Sequence, residues 1–249
     1  MAQSTREAPA SPPSPPALIG ELADACVRFV EKAVGIAPDY TFETLPLVDH
    51  WLREAREAAL ARARSASLVS ASQGGQAPVD ETLRLVAAAA GAYFGEVVLR
   101  RYPGWWRLVD DGTDGHRVEL REVFLAFHPM GFAYALLLRP EPPPVVSEPR
   151  DDDAPEHDDE EEEELETVPV PGDDPAALLL DEDDKQAIMA KLAELPPVRE
   201  DDFFALSTRA EMIDVVVDAL RARRIELYRT DDGLERDPPA FEEVDYDEL

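Results

Sequence analysis

Leu83-Arg84-Leu85-Val86-Ala87-Ala88-Ala89-Ala90-Gly91-Ala92-Tyr93-Phe94-Gly95-Glu96-Val97-Val98-Leu99 is the stretch whose reading decides the fold. Wound as a helix, it puts Leu83, Val86, Ala87, Ala90, Phe94, Val97 and Val98 on one face, with Leu85, Ala89, Ala92 and Leu99 on the other side. A helix apolar nearly all round must be covered on more than one side, so the core is expected around it. Gly91 and Gly95 each cost about 1 kcal/mol relative to alanine in a helix interior. That cost is offset if a neighbouring backbone packs closely against them. Asp80 is placed to cap the helix, and Glu81 suits its positive end.

Working outward toward the C-terminus, Pro103-Gly104 stops the helix and Trp105 to Asp110 reads as a strand. Asp111 to Gly115 reads as a hairpin turn, and His116 to Phe127 as the returning strand. The alternation slips within that strand: Val118 and Leu120 hold one phase, while Val123, Leu125 and Phe127 hold the other. A bulge at Arg121-Glu122 would reconcile them. Pro129 can open a short helix, Met130 to Leu138. Toward the N-terminus, a Gly-containing loop covers Ser65 to Pro78. A helix runs from the Thr44 cap, with Pro46 in its first turn, to about Ala63. Leu45, Val48, Leu52, Ala55 and Ala59 form its buried stripe, and Asp49 and Arg53 belong to its wet side. Ala17 to Val34 is the first helix. It buries Leu18, Leu22, Cys26, Phe29, Val30 and Ala33 and stops at Gly35.

The remaining chain divides by composition. Residues 1–16 are a Pro-rich arm with no apolar core of a secretory leader, and 17–140 form the α+β domain. A Pro-rich and acidic linker covers 141–174, in which Asp151 to Glu166 holds 12 acids in 16 residues. Such a block cannot bury enough apolar surface to offset its ordering entropy. A helical segment follows over 175–230, docked on the first domain because its apolar stripe is thin for an independent unit. It contains a helix from Pro175 to Leu195 and another from about Arg209 to Arg224, opened by the capping box Thr208-x-x-Glu211. Ile225 to Tyr228 reads as a short strand, and 231–249 as a loose acidic tail. The fold class is thus α+β: N-terminal helices packed on a small antiparallel sheet, with C-terminal helices after an acidic linker.

Charge narrows the partners. The formal net charge is −30, spread unevenly: residues 1–140 hold 17 acids against 14 bases, and 141–249 hold 37 against 10. Such a chain is repelled by nucleic-acid phosphate and by anionic membranes, and is attracted to basic proteins. The single cysteine, Cys26, excludes an internal disulfide and reads as a small buried hydrophobe. Leu85 to Leu99 is short for a bilayer span. The expected setting is cytoplasmic.

Enzyme signatures are missing. The chain has no Walker loop, no G-x-G-x-x-G after a strand, no G-x-S-x-G elbow and no H-E-x-x-H spacing among His50, His116, His128 and His157. No cofactor and no metal site is expected. Asp110 to Gly115 resembles the start of a calcium loop but lacks the glutamate at the twelfth position. Three features are worth weighing. Glu96 is read first as structural, paired with Arg100 one turn on or hydrogen-bonded to loop backbone, and alternatively as a carboxylate with a shifted pKa in a cleft. Trp105-Trp106 is read first as core or edge packing, and alternatively as a binding platform with Tyr102. Asp151 to Glu166 is read first as a solvated linker, and alternatively as a mimic of nucleic acid or bait for a basic partner.

Two motifs resemble a group of uncharacterised bacterial domains of unknown function. One is Thr41-Phe42-Glu43-Thr44-Leu45-Pro46-Leu47-Val48-Asp49-His50-Trp51-Leu52. The other is Ala90-Gly91-Ala92-Tyr93-Phe94-Gly95-Glu96-Val97-Val98-Leu99-Arg100-Arg101 followed by Trp106. The resemblance covers about residues 17–140, departs from the pattern at Pro46, and implies no activity. Gly91, Tyr93, Gly95, Glu96, Trp105 and Trp106 therefore read as an interaction or structural motif, with no catalytic role. The expected function is a non-enzymatic protein-binding or adaptor module, with an apolar groove near Gly91 and Gly95. An immunity-type acidic inhibitor of a basic toxin is the alternative.

Overall fold

The computed structural model describes residues 15–70, 81–108, 115–138, 177–228 and 238–247. It is an α+β fold in which helices cover one face of a four-stranded antiparallel sheet. Helix α1 (Ala17–Val34) ends at Gly35, whose φ of 80° places it in the left-handed region that glycine adopts without penalty. A 3-10 turn, Phe42–Thr44, leads into α2 (Leu45–Ser70), which keeps Pro46 in its first turn. Then come α3 (Glu81–Arg101), β1 (Gly104–Arg107), β2 (Arg117–Leu120), β3 (Leu125–Phe127) and α4 (Pro129–Leu138). The C-terminal part supplies β4 (Leu178–Leu180), α5 (Glu182–Leu192), the short α6 (Glu200–Phe203), α7 (Leu206–Leu227) and a final 3-10 turn, Glu243–Tyr246.

Helix α3 lies at the centre. Ala87, Ala89, Ala90, Ala92, Tyr93, Phe94 and Val98 are fully enclosed, and Leu85 is the large apolar residue left half exposed. Its window Thr82–Arg101 is long and apolar enough to cross a membrane by length and composition. In this fold, 67% of that window is buried inside the protein. The two glycines have different neighbours. A Cβ on Gly91 would meet the α4 backbone, 2.6 Å from Met130 N and 2.8 Å from the Pro129 carbonyl carbon. At Gly95 it would run into the Trp106 ring. The close backbone neighbour is thus present at Gly91, whereas a side chain fills the space at Gly95. The groove expected near these glycines is occupied by α4 and Trp106.

Several sequence expectations are corrected. Cys26 and Val30 of α1 are buried as expected, but Ile19 and Ala23 complete the face, while Leu18 and Phe29 are exposed. Helix α2 continues through Ser70, so the expected loop at 65–78 is helical at its start; residues 71–78 lie outside the described ones, as do Asp80, the 1–14 arm, the hairpin turn at 109–114 and the linker at 139–176. The phase slip near Arg121 marks a chain reversal: β2 and β3 are separate antiparallel strands joined by residues 121–124. Leu178 and Leu179 belong to β4, which pairs with β3 through Leu125↔Leu180 and Phe127↔Leu178, so the expected helix from Pro175 is cut to α5. Residues 225–227 continue α7 rather than forming a strand.

Helix α7 also starts three residues earlier than the Thr208 capping box suggests. Its first amides are satisfied from outside: Asp49 of α2 accepts from Leu206 N at 2.6 Å and Ser207 N at 3.1 Å. Asp49 is 1% exposed, the reverse of the wet-side placement read from sequence. Burial pushes its carboxyl pKa up, and the two amide bonds oppose that rise.

Three substitutions test these contacts. Gly91→Ala should lose about 3 kcal/mol in urea denaturation, because the new methyl meets fixed backbone. Gly20→Ala, whose Cβ meets only Pro15 Cγ at 3.8 Å, should be neutral or stabilised by up to about 1 kcal/mol. Asp49→Ala should cost about 2 kcal/mol, since it strands two amides at a buried helix start. A cost within error at Asp49 would remove its role as the cap of α7.

Candidate functional site

Strand alternation divides the aromatic pair. Trp106, Val118, Leu120, Leu125, Phe127, Leu178 and Leu180 face the helices and join the main core. Trp105, Ala126 and Leu179 face the other way, in a second cluster completed by Phe124, Phe241 and Tyr246. Trp105 and Trp106 therefore do not act together as one platform with Tyr102, whose hydroxyl donates to Asp214 of α7.

On the helix side, Trp106 lies over Gly95 and donates its indole N–H to Glu96 Oε1 at 2.8 Å. Glu96 is thus a structural acceptor, paired with an indole beside Arg100's field. Burial raises its pKa, and the Trp106 bond and then Arg100 act against the rise. Arg100 itself stacks over the Tyr40 ring at 3.8 Å. Tyr93 is fully buried; its hydroxyl accepts from Tyr40 N at 2.9 Å and lies 3.1 Å from Thr44 Oγ1. Tyr40 holds a positive φ of 64°, and its own hydroxyl donates to Asp24 at 3.0 Å. Gly91, Tyr93, Gly95, Glu96 and Trp106 are therefore brought together as supports of the core. Cys26 is buried, and desolvation pushes its thiol pKa well up, so the thiolate needed for reactivity is suppressed.

The outer face of the sheet is differently built. Glu119 on β2 is fully enclosed and accepts three bonds: Trp105 Nε1 at 2.6 Å, Arg107 Nε at 2.6 Å and Arg117 Nε at 2.7 Å. The pairing Trp105↔Glu119 and Arg107↔Arg117 sets these four side chains on one face. The C-terminal residues 238–247 lie across it. Tyr246 is 0% exposed, its ring stacked on Phe124 (4.6 Å, 7°) and edge-on to Trp105 (5.8 Å, 84°). Its hydroxyl lies 2.6 Å from Leu120 O and 2.8 Å from Val123 O as donor, and accepts from Leu125 N at 3.1 Å. Desolvation raises its pKa, so it stays a phenol.

Charge holds the rest of the segment. Arg117 Nη2 donates to Tyr246 O at 2.7 Å, Arg107 pairs with Asp247 at 3.0 Å and also donates to Glu243 O, and Arg224 donates to Pro239 O. Phe241 packs on Phe124 at 5.5 Å under the Arg224 guanidinium at 4.2 Å, and its N–H donates to Arg121 O at 2.7 Å. The tail expected to be loose is therefore seated over 238–247; residues 229–237 lie outside the described ones. Sequence reading missed Glu119, Arg107, Arg117 and Tyr246. The available signal was three charged residues at alternate strand positions beside a tryptophan, with an aromatic pair in an acidic tail.

Among the described residues, no group of three or more His, Cys, Asp or Glu is arranged to hold a metal ion. No family model, curated protein or solved structure matches this chain.

The buried Glu96 gives a pH test. Because its folded pKa is raised, the folded protein holds a proton more readily than the unfolded chain. Wild type therefore loses stability as pH climbs from the ordinary value of 4.5 through the raised one. Glu96→Gln still accepts from Trp106 and does not titrate. The stability difference between variant and wild type should move in the variant's favour across that window in urea melts at pH 4.5 and above. A pH-independent difference would show that the carboxyl is not perturbed.

Proposed function

We propose that this chain is a non-enzymatic protein-binding module, working in a cytoplasmic setting, whose working surface is the outer face of its sheet. The observation that carries the reading is the seating of the chain's own residues 238–247 there in the manner of a bound peptide. Two aromatic anchors are inserted, main-chain groups at both anchors are bonded to the body, and Glu242 to Asp245 between them stay exposed. Peptide ligands bind in this way, with a few enclosed aromatic residues dominating and the intervening residues near-neutral. The resemblance to bacterial domains of unknown function is compatible with this reading and adds no activity.

The formal charge of −30 favours a second reading, an immunity-type inhibitor that captures a basic toxin through its acidic surface. Salt separates the two. Capture of a cationic protein that collapses between low and high ionic strength fits the inhibitor, whereas aromatic anchoring resists salt.

For the first reading, a protease site placed within residues 229–237 of the full chain allows the tail to be cut in place. The cut tail should co-elute with the body, and Tyr246→Ala should release it. A cut tail that leaves equally fast with and without Tyr246 would sink the proposal.

A further inference from the structure

We propose that the outer-face groove reads a tyrosine in an acidic segment, and that a partner protein carrying an aromatic residue five positions before a Tyr-acid pair exchanges with the chain's own tail. This rests on the protein-binding reading above and names its ligand.

The tyrosine requirement comes from the floor of the pocket. The Tyr246 hydroxyl meets carbonyl oxygens of Leu120 and Val123 and the amide of Leu125, all main-chain groups of the β2–β3 reversal. Main-chain positions are fixed by the fold, so the pocket presents one donor and two acceptors at set points, and a phenol hydroxyl can answer both kinds. A phenylalanine would fill the same aromatic slot between Phe124 and Trp105 but leave those bonds unmade, and sites built to bond a hydroxyl reject the analogue lacking it. The acidic requirement comes from the rim. Arg107 pairs with Asp247 directly after the tyrosine, and Arg224 covers the Phe241 ring. Arg121 lies 5.8 Å over Trp105 and presents its carbonyl to Phe241 N. The spacing requirement comes from the distance between the two aromatic seats, which Phe241 and Tyr246 span with one 3-10 turn.

Exchange is favoured by the kind of contact that holds the rest of the segment. Between the two anchors Glu242 to Asp245 are exposed, the Arg107–Asp247 pair beyond them is open to water on the Asp247 side, and the segment adds no strand to the sheet. A groove filled in cis this way binds a free competitor more weakly than its intrinsic affinity, because the tethered tail is present at high effective concentration. The seat is therefore expected to open fully only to a partner that is abundant, multivalent, or helped by release of the tail.

The experiment uses the full chain cut within residues 229–237 and a fluorescent peptide of residues 238–249. Labelled wild-type peptide should replace the cut tail, with a Tyr246→Phe peptide at least about tenfold weaker and a Phe241→Ala peptide also weakened. Equal competition by the Tyr246→Phe peptide would overturn the hydroxyl reading. A tail that stays bound after cutting and never exchanges under excess peptide would overturn this inference while leaving the seat itself intact. A tail that departs and a peptide that never binds would overturn the protein-binding reading as well. Sedimentation of the uncut chain adds a last outcome: a concentration-dependent dimer abolished by Tyr246→Phe would assign the groove to a second copy and overturn the assignment to a different partner.

Discussion

The fold depends on how closely α4 approaches α3 at Gly91. With hydrogen in place of a methyl, the α3 axis comes within reach of the Pro129–Met130 backbone, and the first turn of α4 can sit directly on the central helix. That approach also sets the level of the sheet, since β3 runs straight into α4 with only His128 between them. One turn further along α3, Gly95 leaves room for the Trp106 ring, and Glu96 catches its N–H. Gly104 repeats the device at the start of β1, where a Cβ would press on the Glu119 carbonyl oxygen and lie 2.9 Å from Leu99 Cδ2. The helix-propensity cost of two glycines is small beside the apolar area that this closeness encloses, at about 25 cal/mol per Å².

The same sheet then has to solve a problem on its other face. A four-stranded antiparallel sheet covered on one side can leave the other to water, but here that side carries Trp105, Ala126 and Leu179 beside a buried carboxylate. Glu119 is tolerable because Trp105, Arg107 and Arg117 all donate to it, and a buried charge without such partners would cost several kcal/mol. The two arginines, held at their Nε atoms by Glu119, are left with guanidinium nitrogens aimed at the tail: Arg107 at Asp247 and Glu243 O, Arg117 at Tyr246 O. The buried carboxylate therefore orients the groups that grip the C-terminus, which ties the architecture of the sheet to the candidate site.

What was legible in the sequence was local. The bounds of α1 follow from a periodic stripe and a glycine that takes φ 80° at its end. The all-round apolar character of α3 follows from composition, and its glycines foretold a close neighbour. The periodicity alone does not fix the buried face of α1, because the exposed Leu18 and Phe29 fit three-and-four spacing as well as the buried Ile19–Ala23–Cys26–Val30 stripe does. The slip at Arg121 was a true signal given the wrong geometry: a bulge and a reversal both shift the phase, and only pairing partners distinguish them. Interactions between distant residues left no such trace. Asp49 caps a helix 157 positions away, and β4 joins β3 from across a long acidic stretch. Tyr246 packs against residues more than 120 positions earlier, so an acidic tail with few apolar residues looked loose when read by itself.

Net charge misled for a related reason: it is an average, and partners meet surfaces. The −30 total is carried mainly by residues after 140, while Arg107, Arg117, Arg121 and Arg224 converge on the outer sheet face. An acidic segment is thus repelled by much of the chain yet attracted locally to this face, which favours a precise landing place over diffuse adhesion. The two kinds of contact then divide the work. Exposed arginine–carboxylate pairs are worth little once screened, and act mainly on encounter and register. The enclosed tyrosine and its three main-chain partners must first be broken for the segment to leave, so they govern how long it stays.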